Sequence, residues 1–166
     1  YQRWPLKWDQ AYKNLQKLDD TPDNILPWLA FTVTAYNIFH LPEFMWWTLK
    51  ESGFKKINST KHRPVITHHV AHGPKRANIR LLPSELKLQV HNHYDYYKFK
   101  VAQDNEIQPE VKDKFNKILD IVEKYMMADD YSDKVDEFVK FTKYLDTQRQ
   151  QSIVDIVPQY KELFNV

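Results

Sequence analysis

The segment from Thr32 to Phe44 constrains the fold of this chain more than any other part of the sequence. It begins as an apolar run, breaks at the polar residue Asn37, and continues into a helix that Pro42 can start, because proline is tolerated in the first helical turn. A buried strand, a short polar turn and a helix form the βα unit of α/β proteins, in which ligands bind at the carboxyl ends of the strands. The segment therefore predicts that Asn37 and His40 lie on a ligand-binding rim.

The composition narrows the class of protein. The 166 residues correspond to about one domain, and 42% of them are hydrophobic, which is well above a disordered composition. Only two glycines are present, so a glycine-rich phosphate-binding loop is absent. The formal net charge of +2 gives little charge-driven affinity for nucleic acid.

Cysteine content and hydropathy exclude further kinds of site and of protein. The sequence has no cysteine, which excludes disulfides, zinc ribbons and a thiolate-bound iron–sulfur cluster within this chain. No apolar run approaches the roughly 20 residues of a membrane span, and no signal peptide is visible. We therefore expect a cytoplasmic protein with no membrane partner.

Hydrophobic spacing predicts one helix, then a βαβ unit, then mostly helices. The predicted helices cover 5–18, 41–52, 84–102, 109–127, 132–147 and 158–164, and the predicted strands cover 25–36, 54–58 and 64–70. The first strand lacks alternation, which indicates a parallel sheet with both faces covered. Residues 78–82 fit either a short strand or an irregular connection, and Ser132 is a predicted helix N-cap.

Histidine is the densest group of side chains with possible chemistry, formed by His62, His68, His69 and His72, with His91 and His93 further along. Because histidine is a common metal ligand, a His-bound metal hydrolase is one alternative function. However, positions 68 and 72 would lie about 13 Å apart on an extended strand, and no acidic residue completes a metalloprotease pattern. Ordinary histidines on a strand edge or loop are favoured.

A second alternative is a binding module for nucleic acid or protein. Aromatic and basic residues interleave on the predicted helix 84–102, a pattern that suits single-stranded nucleic acid. A helix that covers hydrophobic surface has the same pattern, and so does the Trp46-Trp47 pair. The interleaved residues are Tyr94, Tyr96, Tyr97, Lys98, Phe99 and Lys100.

Several stretches, spread in order along nearly the whole chain, also match one known family. They are Tyr1–Trp8 with Lys13–Leu15, Thr32–Ile38, Leu41–Phe44, Leu82–Lys87 with Pro74 and Ile79, Leu145–Arg149, and Val157–Leu163. Together they resemble segments of radical S-adenosylmethionine (SAM) enzymes that carry a shortened SPASM, or twitch, C-terminal region.

The resemblance implies an α/β fold, with a partial (βα)6 TIM-type barrel. Residues 1–83 would form its last βα units, and residues 84–166 a helical C-terminal region. It implies SAM and a [4Fe-4S] cluster as the cofactors of the parent enzyme, which forms a 5′-deoxyadenosyl radical that acts on a peptide or small-molecule substrate. The implied partners are the missing N-terminal half of the barrel, the substrate, and an electron donor such as a flavodoxin or ferredoxin.

The main departure from the family is the absence of its Cys-x3-Cys-x2-Cys motif. The chain also opens at Tyr1 without an initiator methionine. We therefore expect a fragment of a longer enzyme that is inactive without its cluster-binding half. No catalytic residue and no metal ligand is predicted in this chain.

The resemblance also implies positions for the cofactor. Asn37, at the end of the fifth barrel strand, is a candidate contact to SAM, and Thr34 is a second one. From the residues alone, Asn37 could instead cap the helix that follows. The resemblance places His68, His69 and His72 near the sixth strand without a defined role.

Overall fold

The computed structural model describes residues 5–57 and 67–165. The fold is α/β, mostly helical, with a small parallel sheet. The helices and strands are α1 (Trp8–Asp19), β1 (Ala30–Val33), α2 (His40–Lys50), β2 (Thr67–Val70), α3 (Ser84–Gln103), α4 (Pro109–Ala128), α5 (Val135–Arg149), α6 (Ile153–Ile156) and α7 (Lys161–Phe164). Single turns of 3-10 helix lie at Lys75–Ala77, Ile79–Leu81, Ser132–Lys134 and Pro158–Tyr160.

The two strands and α2 form the predicted parallel βαβ unit, in which β1 and β2 pair along their full length. Helix α2 covers one face of the sheet, where the ring of Phe31 lies 5.4 Å from that of Phe44 and Val33 is fully buried. Side chains alternate between the faces of a strand, so Thr32 and its cross-strand neighbour His69 lie on the other face, and both are exposed. The prediction that both faces are covered is therefore wrong for the described residues.

The helical part of the chain shares one hydrophobic core with the βαβ unit, and buried residues before and after position 83 contribute to it. Three buried hydroxyl groups anchor the turn that follows β1. They are Tyr94, which donates to the carbonyl of Ile38 at 3.1 Å, Tyr160, which donates to the carbonyl of Ala35, and Tyr36, which lies 3.0 Å from the hydroxyl of Thr142. Since buried polar groups are costly unless hydrogen-bonded, these contacts fix the turn against α3, α5 and residues 153–164, which we call the C-terminal segment.

The long helices confirm the predictions from hydrophobic spacing. Helices α3 and α4 begin at the predicted residues and end within one residue of the predicted ends. Pro109 occupies the first turn of α4, and the apolar face of this helix is buried. None of the described helices is both long enough and apolar enough to cross a membrane.

The predicted strand at 54–58 is wrong over residues 54–57, and residue 58 lies outside the described part of the chain. The backbone N–H groups of Lys55, Lys56 and Ile57 donate to the carboxylate of Asp19 at 2.7, 2.9 and 2.8 Å. Asp19 is buried at the end of α1. These donors are therefore used by a side chain and do not form a ladder with a strand.

Other element boundaries also differ from the predictions. The predicted strand 25–36 is confirmed only at Ala30–Val33. The predicted strand 64–70 is confirmed at Thr67–Val70, and its residues 64–66 lie outside the described residues. Residues 78–82 contain a 3-10 turn. Helix α6 was not predicted, because four residues are too few to show a helical repeat.

Ser132 does not cap α5. It starts a 3-10 turn, and the N-cap of α5 is Lys134. The carboxylate of Asp130 accepts hydrogen bonds from the N–H and the hydroxyl of Ser132 at 2.9 and 3.0 Å. The hydroxyl is thereby engaged with the preceding residues and not with the first turn of the helix.

Candidate functional site

Asn37 closes the carboxyl end of β1. The carbonyl of Val33 accepts from the N–H of Ala71 at 2.9 Å, so the main chain of Val33 faces β2 and that of its neighbours faces the opposite edge of the sheet. At this edge, Asn37 Oδ1 accepts from the N–H of Thr34 at 2.8 Å, and Nδ2 donates to the carbonyl of Thr32 at 3.0 Å. The carboxamide thereby makes the two bonds that a neighbouring strand would make.

The two residues proposed from the resemblance as SAM contacts thus bond to each other. The hydroxyl of Thr34 also lies 3.3 Å from Asn37 Oδ1 and accepts from the N–H of Tyr36 at 3.2 Å. The alternative role of Asn37 as a helix cap is not seen, because the N-cap of α2 is Phe39 and no side chain caps it. A contact of Asn37 or Thr34 with SAM stays a prediction.

An open cavity of about 440 Å³ lies beside Asn37, and we call it the rim cavity. Its aromatic walls are Trp8 from α1, Phe31 from β1 and Phe44 from α2. Lys7, His40 and Ile156 also line it. The side chains that line it therefore come from widely separated parts of the chain.

His40, the first residue of α2, is held through both ring nitrogens. Nδ1 lies 3.0 Å from Oε2 of Glu43, and Nε2 lies 3.1 Å from the carbonyl oxygen of Ile156. A carbonyl oxygen only accepts hydrogen bonds, and so does an ionised carboxylate. Nε2 therefore carries the hydrogen of the bond to Ile156, and His40 connects the start of α2 to Glu43 and to Ile156.

Glu43 is shared between two histidines. Its second oxygen, Oε1, lies 3.4 Å from Nε2 of His93 on α3, a longer and weaker contact than the one with His40. The hydrogen bond from His40 and then the contact with His93 lower the pKa of Glu43 to about 2, against the opposing effect of partial burial. Glu43 is therefore ionised at neutral pH and links α2 to α3.

The structure does not bring the predicted histidine group together. His69 is exposed on the open face of the sheet, whereas His68 lies on the opposite face, where burial and then the nearby His69 lower its pKa. His72 Nδ1 lies 3.1 Å from the hydroxyl of Tyr125, and His62 lies outside the described residues. Within residues 5–57 and 67–165, no group of three metal-binding side chains could hold an ion.

The aromatic and basic residues of α3 have mixed roles. Tyr94 is fully buried in the core, and the ammonium of Lys100 lies 3.9 Å from the ring centre of Trp46. Tyr96 and Phe99 are exposed. The interleaved pattern therefore describes a helix that covers the core and leaves two aromatic side chains at the surface, without a continuous basic and aromatic strip.

The contacts of His40 with Glu43 and Ile156, and of Glu43 with His93, were not predicted from the sequence. Glu43 carries a usable signal, because its spacing of three from His40 places both on one side of a helix. The sequence has no such signal for His93 and Ile156, because their contacts with Glu43 and His40 depend on how α3 and the C-terminal segment pack.

Comparison of the chain with models of protein families, with curated proteins and with solved structures finds no match in any of the three. The basis for a function is therefore the geometry of the sheet and of the cavity beside Asn37, together with the resemblance in the sequence.

Replacing Asn37 by alanine should expose the end of β1. We expect a loss of about 1 kcal/mol in the free energy of unfolding, the net value of a typical hydrogen bond, and faster amide hydrogen exchange at Thr34. The matched variant Asn37→Asp keeps an acceptor for the Thr34 N–H and should keep this amide protected. Unchanged exchange at Thr34 in Asn37→Ala would show that the carboxamide does not close the edge.

The stability that Glu43 contributes should depend on pH. The pKa of Glu43 is about 2 in the folded protein, whereas the ordinary value is 4.5. The stabilisation by Glu43 is therefore present above about pH 4.5 and is lost as the pH falls towards 2. Because the side chain is 46% exposed, we expect wild type to exceed Glu43→Gln by only about 1 kcal/mol at pH 6.

Urea unfolding of both proteins between pH 6 and pH 2 measures this difference. The gap between wild type and Glu43→Gln should close as the pH is lowered. A gap that stays constant over this range would contradict an ion-paired Glu43.

Proposed function

We propose that this chain is the C-terminal part of a radical SAM enzyme and forms the last βα units of a partial (βα)6 barrel. The observation that best supports the proposal is that one face of the β1–β2 sheet is covered and the other is exposed. Helix α2 packs on one face, while Thr32 and His69 are exposed on the other. In a βα barrel every strand has this asymmetry, because the helices lie outside and the second face lines the interior.

The edge of β1 supports the same arrangement. The main-chain N–H groups of Ala30 and Thr32 face the edge of β1 opposite β2, where no strand lies among the described residues. Parallel sheets occur almost only with both faces covered, and two strands alone rarely form a stable sheet. Further βα units placed before β1 would pair with this edge and enclose the open face.

The residues present fit part of the proposed cofactor site. The chain has no cysteine, so the [4Fe-4S] cluster would be held by the other half of the parent enzyme. The rim cavity is open, has aromatic walls, and its volume is within the range of small-molecule sites, so it fits an adenosyl-sized ligand. When bound, SAM and the cluster supply the radical that removes a hydrogen atom from a peptide or small-molecule substrate.

The residues of this chain would shape the site. Asn37 Oδ1 already accepts from Thr34, so we assign both residues the role of positioning the turn against which SAM would lie. The proposed partners are the N-terminal half of the barrel, the substrate, and an electron donor such as a flavodoxin or ferredoxin, in the cytoplasm.

The complete gene product, reconstituted with iron and sulfide without oxygen, should convert SAM to 5′-deoxyadenosine when a reductant is added. The 166-residue chain alone should form none, because it has no thiolate to bind the cluster. A Cys-x3-Cys-x2-Cys motif should lie within roughly 100–130 residues before Tyr1, an interval set by the size of βα units.

The matched control replaces the first cysteine of that motif by alanine and should abolish 5′-deoxyadenosine formation. Chromatography with mass detection measures the product. An in-frame initiator methionine directly before Tyr1, or a complete protein that binds no cluster, would contradict the proposal.

A further inference from the structure

We infer that His72 is a ligand-binding residue. Its imidazole presents an Nε2–H donor at the carboxyl end of β2, and the ligand is an acyl compound whose carbonyl or carboxylate oxygen accepts this hydrogen bond. The role needs neither SAM nor the cluster, so it goes beyond the proposed function.

His72 lies at the end of the sheet where ligands bind in α/β proteins. It is the second residue after β2, which ends at Val70. Because β1 and β2 are parallel, Asn37, which follows β1, lies at the same end. Side chains at the carboxyl ends of parallel strands form the ligand sites of α/β folds. His72 is also exposed, so a ligand can reach its ring.

A buried carboxamide fixes the main chain of His72. Asn78 is 1% exposed, and its Nδ2 lies 3.0 Å from the carbonyl oxygen of Ala71 and 3.3 Å from that of His72. Its Oδ1 accepts from the N–H of Arg80 at 3.0 Å, which determines the orientation of the carboxamide. Asn78 therefore holds the segment that carries His72.

The same carboxamide supports the ring of His72 through Tyr125. Asn78 Nδ2 donates to the hydroxyl oxygen of Tyr125 at 2.8 Å, and this oxygen lies 3.1 Å from Nδ1 of His72. The rings of His72 and Tyr125 meet edge to face at 5.3 Å. Fixing an exposed side chain costs rotamer entropy. An exposed imidazole that is held in one orientation by buried and half-buried partners is therefore typical of a preorganised binding residue.

Tyr125 is itself held in place. The guanidinium of Arg80 lies 3.8 Å from the centre of the Tyr125 ring, and Arg80 Nε donates to the main-chain carbonyl of Tyr125 at 3.0 Å. Arg80 also pairs with Asp129, the residue that follows α4, at 2.6 Å. The hydroxyl of Tyr125 therefore has a defined position from which to orient His72.

These bonds determine which nitrogen of His72 is the donor. The Tyr125 oxygen accepts from Asn78, so its own hydrogen is directed at Nδ1 of His72. A neutral imidazole that accepts at Nδ1 carries its hydrogen on Nε2. An Nε2–H group suits an acceptor oxygen and does not suit a metal ion, because a metal ion binds the lone pair of a ring nitrogen.

An acyl oxygen fits this donor better than a phosphate. Phosphates are usually held by several N–H donors or by the fork of an arginine, whereas His72 offers one N–H group. The cations of residues 72–80 are already engaged by carboxylates or by an aromatic ring, and they are Lys75, Arg76 and Arg80.

The test compares three small probes of one shape on the 166-residue chain: acetate, acetamide and acetamidinium. The first two offer an acceptor oxygen, whereas acetamidinium offers only N–H donors. The amide signal of Gly73 reports binding in an NMR titration at constant ionic strength and pH 8, where an ordinary histidine is neutral. We expect saturable shifts with acetate and, more weakly, with acetamide, because hydrogen bonds to ionised acceptors are stronger. Acetamidinium should cause none.

The ring of His72 provides a second measurement on the same sample. Multiple-bond correlation of its carbon-bound protons with its ring nitrogens should show the hydrogen on Nε2. Relaxation of the ring should give an order parameter of about 0.85, as for an ordered backbone. His69, exposed on the open face of the sheet, is the matched control and should give a value below about 0.6.

Substitutions then separate the donor from the residue that orients it. His72→Ala, at an exposed position, should abolish the shifts with acetate and acetamide. Tyr125→Phe keeps the ring and removes the hydroxyl, and it should weaken the binding of acetamide about fivefold, as the loss of one hydrogen bond gives. Tyr131→Phe alters the other tyrosine beside Arg80 and should change neither.

Four results would overturn the inference: equal shifts with all three probes, no saturable shift with acetate or acetamide, binding that survives His72→Ala, or a ring hydrogen on Nδ1. No SAM or cluster takes part in these measurements, so their failure is distinguishable from a failure to form 5′-deoxyadenosine.

Discussion

A single crossover helix can cover only one face of a parallel pair of strands, and this limit leaves one face of the β1–β2 sheet exposed. Parallel strands need a crossover connection, and α2 provides it and packs on the face that carries Phe31 and Val33. The opposite face, with Thr32 and His69, has no cover among the described residues. Parallel sheets usually have both faces covered, and the further βα units that we propose would cover this one.

The same sheet explains why the rim stays open. The side chain of Asn37 donates to the carbonyl of Thr32 and accepts from the N–H of Thr34. An added strand could therefore bond to the main chain of Ala30 and to the N–H of Thr32, but to no later residue of β1. The pairing would therefore stop below the turn. The space above it remains available for the rim cavity, which His40 also lines.

Features that depend on neighbouring residues could be predicted from the sequence, whereas features that depend on tertiary packing could not. The helical repeat of α4 and the strand–turn–helix order around Asn37 are local, and both are confirmed. The edge-closing role of Asn37 depends on which edge of β1 pairs with β2, which a single strand does not reveal. Residues 54–57 fit a strand pattern, but Asp19, far earlier in the chain, uses their N–H groups. The cavity joins Lys7 to Ile156 only through tertiary packing.

Amide hydrogen exchange at Ala30 and Thr32 shows whether a further strand pairs with β1, because their N–H groups face the edge of β1 opposite β2. The rates are measured in the 166-residue chain and in the complete gene product. If β1 is one strand of a larger parallel barrel, both amides should exchange about 100-fold more slowly in the complete protein. Equal rates in the two proteins would mean that no further strand pairs with β1, and would contradict the account.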